Sequence, residues 1–363
     1  MTQVTNRERF CRLYDFEEVD RPTRWEAVVF WPQALSQWRA EGGLAEDEDV
    51  MERYAFDPRP VVSGGLGATS MDLSGDPVQS RVVKDEGNTQ VLENDLGKVW
   101  RVRCDGHESM PHWLRFPVES HQDWLNKIKP RLDPSSHSYG ELDEEAEELR
   151  GSEDPIGLFI VGLYAFWRNF WGMENLSYAF YETPDTLHDM ADAWRTMHCS
   201  CLRRVFDTMH IDYVMFHEDM AFKNGPLIGP NLFDQFMTPY YQDVMAELRT
   251  LGQHRFILDS DGHNGAVLDR FIELGVNGLF PFEVAAGYDI RQIRKMYPRF
   301  FIWGGLDKRV LLEDRDAIER EVAEKVPAVW ESGGFIPAVD HAVPPCPQEN
   351  FEFLLERTRS FVE

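Results

Sequence analysis

Five stretches in the second half of the chain set acidic or histidine side chains directly after apolar runs: Phe216-His217-Glu218-Asp219, Leu258-Asp259-Ser260-Asp261-Gly262-His263, Phe282-Glu283, Gly305-Leu306-Asp307-Lys308 and Val339-Asp340-His341. Carboxylates and imidazoles hold divalent cations through oxygen and nitrogen. They also move protons near neutral pH once burial or a neighbouring charge has tuned them. Groups so far apart in sequence act together only if the fold gathers them. A parallel β/α barrel does this, because the C-terminal ends of all its strands open onto one face. The pattern predicts an active site at a barrel mouth.

Alternation along a strand points His217 and Asp219 one way and Glu218 the other. His217 and Asp219 are read as catalytic groups, one of them protonating a leaving oxygen; the plainer alternative is a salt bridge to Lys223 or Arg255. Asp340 is read as catalytic through its neighbour, orienting the imidazole of His341. The aromatic run Tyr164-Ala165-Phe166-Trp167-Arg168-Asn169-Phe170-Trp171 follows a predicted strand. Tyr164 and Trp167 are read as contacts for a flat substrate and Arg168 as the partner of a substrate carboxylate. Lys223 and Asp259 complete the expected substrate-binding set, while Asp307-Lys308 after Gly304-Gly305 either joins the site or caps a helix.

These groups need a scaffold, and from Ile156 onward the pattern is regular. Apolar runs at 157–162, 213–216, 255–258, 278–282, 300–303 and 335–339 alternate with predicted helices at 166–180, 186–209, 230–251, 265–274, 290–296 and 314–330. Such alternation implies parallel βα units. The expected class is α/β, a distorted (β/α)8 TIM-type barrel whose first strand is 25–31. An open doubly wound sheet is the competing architecture, but no Gly-x-Gly-x-x-Gly follows a strand and no Walker phosphate loop is present. Around the Asp85-Glu86-Gly87-Asn88 turn the sequence predicts an N-terminal β-hairpin or meander inserted at about 79–104 in a single domain spanning 1–363. The acidic stretch from Glu141 to Glu153 is read as a solvated helix.

Composition narrows the function classes. The 363 residues are 43% hydrophobic, enough for a large core. With 63 acidic against 37 basic residues and a net charge of −26, a nucleic-acid groove or an anionic membrane surface is not expected. There is no apolar leader and no apolar run of about eighteen residues, so a soluble, cytoplasmic protein is expected. Five cysteines without regular spacing do not form a secreted disulfide framework. His198, Cys199 and Cys201 point in different directions around one predicted helix and are expected to pack rather than bind a metal.

Several segments carry a family resemblance. Asn6-Arg7-Glu8-Arg9-Phe10 with Val19-Asp20-Arg21-Pro22, Asn224-Gly225-Pro226-Leu227-Ile228-Gly229-Pro230, Gly304-Gly305-Leu306-Asp307-Lys308, and Val343-Pro344-Pro345 before Asn350 together resemble the uroporphyrinogen decarboxylase superfamily, most strongly after residue 210. The resemblance implies a distorted (β/α)8 barrel and one of two reactions, decarboxylation or corrinoid-dependent methyl transfer. The Arg-Gln-Ala-Gly-Arg segment with which true decarboxylases grip tetrapyrrole carboxylates is missing here. In the coenzyme M branch zinc is held by a His-x-Cys-Gly-Asn motif, which looks like Asp259-Ser260-Asp261-Gly262-His263-Asn264 in this chain, and by a late cysteine, which falls at His341. Harder ligands in place of thiolates suit an oxygen substrate rather than a thiol.

The resemblance thus implies a methyltransferase that moves a methyl group from a small O-methyl substrate, methoxyaromatics among them, to the cob(I)alamin of a separate corrinoid protein. The cobalamin must come from a partner because this chain lacks the Asp-x-His-x-x-Gly corrinoid signature. Zinc is the expected Lewis acid, with Glu218, Asp261, Glu283 and His341 as ligands and Asp259 in reserve. A decarboxylase of a small carboxylated substrate is the alternative, and a non-catalytic ligand-binding barrel a third reading. Relatives commonly dimerise, so a homodimer is also expected.

Overall fold

The computed structural model describes residues 4–28, 30–64, 78–104, 111–136 and 139–363; Val29, within the expected first strand, lies outside them. The strands Gly157–Val161, Tyr213–His217, Phe256–Asp259, Gly278–Phe280, Phe301–Trp303 and Phe335–Ile336 lie side by side in chain order, each pair parallel. Val61–Val62 precedes them, paired with Gly157–Leu158. Parallel neighbours need a crossover, and the helices Pro184–Thr208, Thr238–Thr250, Gly265–Leu274, Ile290–Met296 and Arg315–Trp330 supply it.

The eighth position is the irregular one. Phe30 makes a single parallel bridge to Val343, and the Asp57 amide donates to the Arg24 carbonyl at 3.0 Å. The segment before Phe30 therefore sits between the last strand and the approach to Val61–Val62, completing a distorted (β/α)8 barrel. Prolines at 22 and 32 bracket it, and each removes a ladder donor.

Inside and outside the barrel follow the two-residue alternation of strands. Tyr213, Met215, Ile257, Phe301 and Trp303 pack within it, while Val214, Phe216, Leu258, Leu279 and Ile302 pack against the helices. The helix Asn6–Tyr14, capped by Thr5, plugs the N-terminal end. Its Phe10 ring lies 4.9 Å from those of Trp25 and Tyr213, and Tyr14 stacks on Phe301 at 4.3 Å. The Tyr14 hydroxyl donates to the Phe256 carbonyl at the start of a strand. The opposite end carries the charged strand termini.

Two expected helices are each broken in two. The 166–180 helix becomes Leu163–Trp171 and Met173–Glu182, because Gly172 has φ 73° and a Cβ there would lie 2.3 Å from the Phe116 ring. The 230–251 helix becomes Pro230–Phe236 and Thr238–Thr250, and Pro239 opens the second piece. The expected meander extends further than the sequence suggests. Ser80–Asp85, Thr89–Asn94, Val99–Arg103 and His112–Arg115 form one antiparallel sheet in consecutive order. All five cysteines are free. His198 is buried, its Nδ1 donating to the Trp194 carbonyl at 2.8 Å, and burial pushes its pKa down to about 4.

Candidate functional site

Strand Tyr213–His217 turns Tyr213, Met215 and His217 into the barrel. The His217 imidazole emerges at the C-terminal end, stacked on Phe159 with ring centroids 5.4 Å apart. Its Nδ1 lies 2.9 Å from Asp259 Oδ2 on the adjacent strand, and its Nε2 lies 3.6 Å from Asp219 Oδ2. Asp219 returns toward its neighbour because the chain passes through the left-handed region there, φ 43°, a conformation costly for a non-glycine residue and common at functional sites. Arg168 holds that turn, donating to the Asp219 carbonyl at 2.7 Å and approaching its carboxylate at 3.6 Å.

Asp219 also links to a second cluster. Its Oδ1 accepts from the Asp261 amide at 3.3 Å, and Asp261 Oδ2 lies 3.4 Å from His341 Nε2. Beside them Glu283 accepts from the Gly262 amide at 2.9 Å and faces Lys308 Nζ at 3.6 Å. Gly262 is needed at its position: at φ 74° a Cβ would fall 2.5 Å from the Ala221 carbonyl oxygen of the overlying hairpin. His217, Asp219, Asp259, Asp261, Glu283 and His341 therefore share one rim, although they come from four strand ends.

Charge within the rim is balanced by contact. Burial would lower the His217 pKa, but the hydrogen bond to Asp259 and the charges of Asp259 and Asp219 outweigh it and raise the value. Asp259 is raised too, by burial first and then by Asp219 and Asp261. In the second cluster burial opposes the Asp261–His341 contact and loses, so Asp261 is lowered and His341 raised.

Four sequence-based assignments need correction. Glu218 is fully buried and faces away from the rim, where its carboxylate accepts from the Ala165 amide at 3.0 Å and from the Tyr241 hydroxyl. Burial pushes its pKa up to about 7. It cannot join Asp261, Glu283 and His341 as a ligand, because strand alternation turns it toward the helices. Asp340 does not orient His341: its two oxygens accept from the Val284 amide at 2.8 Å and the Lys308 amide at 3.2 Å, so it clamps two rim loops. Trp167 is sealed in the core, its indole donating to the Leu187 carbonyl, and Tyr164 is 1% exposed in the same helix. Seven of that helix's nine residues are buried, so it is apolar nearly all round and core follows. Lys223 is not among these four: it is exposed on the Ala221–Phe222 hairpin and has no ion pair among the described residues, where the plainer alternative expected a salt bridge.

Among the described residues, one group offers three ligand atoms within 4.8 Å of one another: His217, Asp219 and Asp259. One imidazole and two carboxylates suit a borderline or hard divalent cation. Burial first, and then the like charges of Asp219 and Asp261, raise Asp259, and such a cation would offset both. The donor set therefore fits a metal. Sequence reasoning missed Phe159, which sets the imidazole plane, and Arg59, which enters the barrel below the rim. Inward parity on strand Gly157–Val161 is the signal for Phe159.

Comparison with known proteins adds the following. Residues 165–361 match the family model described as uroporphyrinogen decarboxylase (URO-D). A methyltransferase from Methanosarcina mazei aligns over 99% of this chain and 99% of its own, with TM-score 0.63 and 15% identity, and so shares the fold. A B12-independent methionine synthase from Shewanella sp. W3-18-1, in complex with selenomethionine, covers 60% of this chain and 65% of its own at TM-score 0.32 and 10% identity. No protein of curated function matches the sequence.

Proposed function

From the premise that this chain belongs to the uroporphyrinogen decarboxylase family, we propose that it is a methyltransferase. It takes a methyl group from a small O-methyl substrate, methoxyaromatics among them, and passes it to the cob(I)alamin of a separate corrinoid protein. The observation that carries this reading is the rim itself: a cation-competent trio, His217, Asp219 and Asp259, stands beside the Asp261–His341 pair, joined to it through the Asp261 amide. An ether methyl is a poor electrophile until its oxygen is made a better leaving group, and the rim holds the means to do so.

His217, Asp219 and Asp259 would hold a divalent cation, zinc by donor type, and when bound it supplies Lewis-acid polarisation of the ether oxygen. His341, whose pKa the contact with Asp261 raises against burial, delivers its proton to that oxygen, which keeps the electron pair of the breaking C–O bond, while the acceptor's own electron pair forms the new bond to the methyl carbon. Arg168 fixes Asp219, and Asp340 fixes the loops bearing Glu283 and Lys308. Relative to the sequence-based assignment, the two roles change places: the His217 cluster binds, and His341 donates.

Product analysis tests the reading. Purified protein given methoxylated substrates and cob(I)alamin should yield the demethylated alcohol or phenol only when the corrinoid is present. Release of carbon dioxide from a carboxylated substrate without corrinoid would instead assign a carboxy-lyase.

A further inference from the structure

Arg59 stands just before Val61–Val62, between Pro58 and Pro60, and its side chain turns into the barrel. The guanidinium lies 4.7 Å over the Trp303 ring and 5.9 Å from that of Trp25. One of its nitrogens, Nη1, donates to the carbonyls of Ala27 at 3.3 Å and Glu26 at 3.5 Å. No carboxylate pairs with it among the described residues. Among the described residues its Nε and Nη2 make no hydrogen bond, yet neither is one of the sealed, partnerless atoms of the interior. That edge is unpaired, on a residue that keeps part of its surface exposed.

The surroundings repeat the pattern. Tyr213 Oη and the indole nitrogens of Trp25 and Trp303 are all buried without a partner among the described residues. Buried polar groups are almost always hydrogen-bonded, and these exceptions, themselves closed off from a ligand, mark an interior that offers the guanidinium no counter-charge. Trp25 and Trp303 are neighbours, with ring centroids 5.1 Å apart, and Tyr213 lies 6.1 Å from Trp25. The middle of the barrel thus gathers one cation and three neutral donors. Above it stands a rim of carboxylates.

We propose that this floor is an anion subsite in which the free Nε–Nη2 edge of Arg59 receives a carboxylate of the substrate, making the substrate class a methoxylated carboxylic acid. The inference rests on the methyltransferase reading for the methyl group but not for the carboxylate. A planar carboxylate matches the arginine fork, and stacking on Trp303 fixes the plane in which the fork presents itself. Burial draws the Arg59 pKa down while Asp259 and Tyr213 push it up, and the group remains a cation. In a chain of net charge −26 an anionic ligand has little reason to approach a carboxylate rim unless a cation waits beneath it. Such an anchor would leave the opposite end of the ring, with its methoxyl, at the rim.

Calorimetric titration of the full-length protein with benzoate and with benzamide tests this without methyl donor or corrinoid. Wild type should bind benzoate at least about tenfold more tightly than benzamide, and Arg59→Gln should erase the preference. Arg59→Lys, which keeps the charge and loses the fork, should weaken benzoate binding with a thermal midpoint close to wild type, covering the case in which Arg59→Gln does not fold. Equal affinity for the two ligands in wild type, or a preference that survives Arg59→Gln, overturns the subsite. Phosphate displacing benzoate at equal concentration overturns the assignment to substrate in favour of a general anion. Methoxybenzene demethylated as fast as methoxybenzoate would remove the subsite and leave the methyltransferase standing. A benzoate preference in a protein that transfers no methyl would do the reverse.

Discussion

His217 and Glu218 are consecutive residues that serve opposite sides of one wall. His217 projects into the barrel mouth, half-buried, and meets two carboxylates. Glu218 projects into the helix layer, where Tyr241 and the Ala165 amide hold it and where no Cβ is tolerated at Gly162, since one would lie 2.2 Å from the Glu218 carboxyl carbon. Both have raised pKa values, so perturbed titration alone does not separate chemistry from architecture. The face does. Inward groups have their partners at a rim open to a ligand, whereas the outward acid has all of its partners in the fold.

The contrast breaks down if activity and stability fail to separate along that wall. The largest effect is expected for His217→Ala, which should lower turnover by about 10²- to 10⁴-fold and abolish stoichiometric metal by elemental analysis, with little change in thermal midpoint. His341→Gln comes next, at about 10²-fold in kcat. Because contact with Asp261 raises the His341 pKa and the acid form is the competent one, wild-type activity should fall as pH rises through that raised value. A pH–rate profile of His341→Gln should lose this alkaline limb.

On the outward side the readout is stability. Glu218→Ala leaves the Tyr241 hydroxyl and the Ala165 amide without their acceptor, and denaturant unfolding should show a loss of about 2–4 kcal/mol, with activity per folded molecule nearly unchanged. Glu26→Gln sharpens the same point through pH. Glu26 is buried, and burial raises its pKa from 4.5 to about 8, so between these values the folded state keeps a proton that the unfolded state releases. Stability should therefore fall as pH rises through that window, by at most about 1.4 kcal/mol per unit. Unfolding curves of Glu26→Gln should lack this slope.

Much of this layout is legible in the sequence for definite reasons. Strands such as Tyr213–His217 and Phe256–Asp259 are apolar runs ended by ionisable residues, and the two-residue period already sets His217 apart from Glu218. What that period does not reveal is which of the two faces is the inside. That depends on packing against Tyr241, which arrives on a later helix. The 25–31 segment reads as a regular strand, but among its described residues the ladder is reduced to the bridge from Phe30 to Val343. Arg59 is invisible for a related reason. Asp57-Pro58-Arg59-Pro60 reads as loop, the strand after it has two residues, and its partner Trp303 lies on a strand far along the chain. Tyr164 and Trp167 mislead because an aromatic run after a strand fits a ligand platform as well as a core helix, and only the burial of the whole helix decides.

The central claim is that the inward rim, and not the acid behind it, performs methyl transfer. Single-turnover consumption of cob(I)alamin with methoxybenzoate, followed side by side in wild type, His217→Ala and Glu218→Gln, tests it most directly. Stoichiometric consumption is expected of wild type and Glu218→Gln, and almost none of His217→Ala. Undiminished consumption by His217→Ala, or its loss in a folded Glu218→Gln, would contradict it.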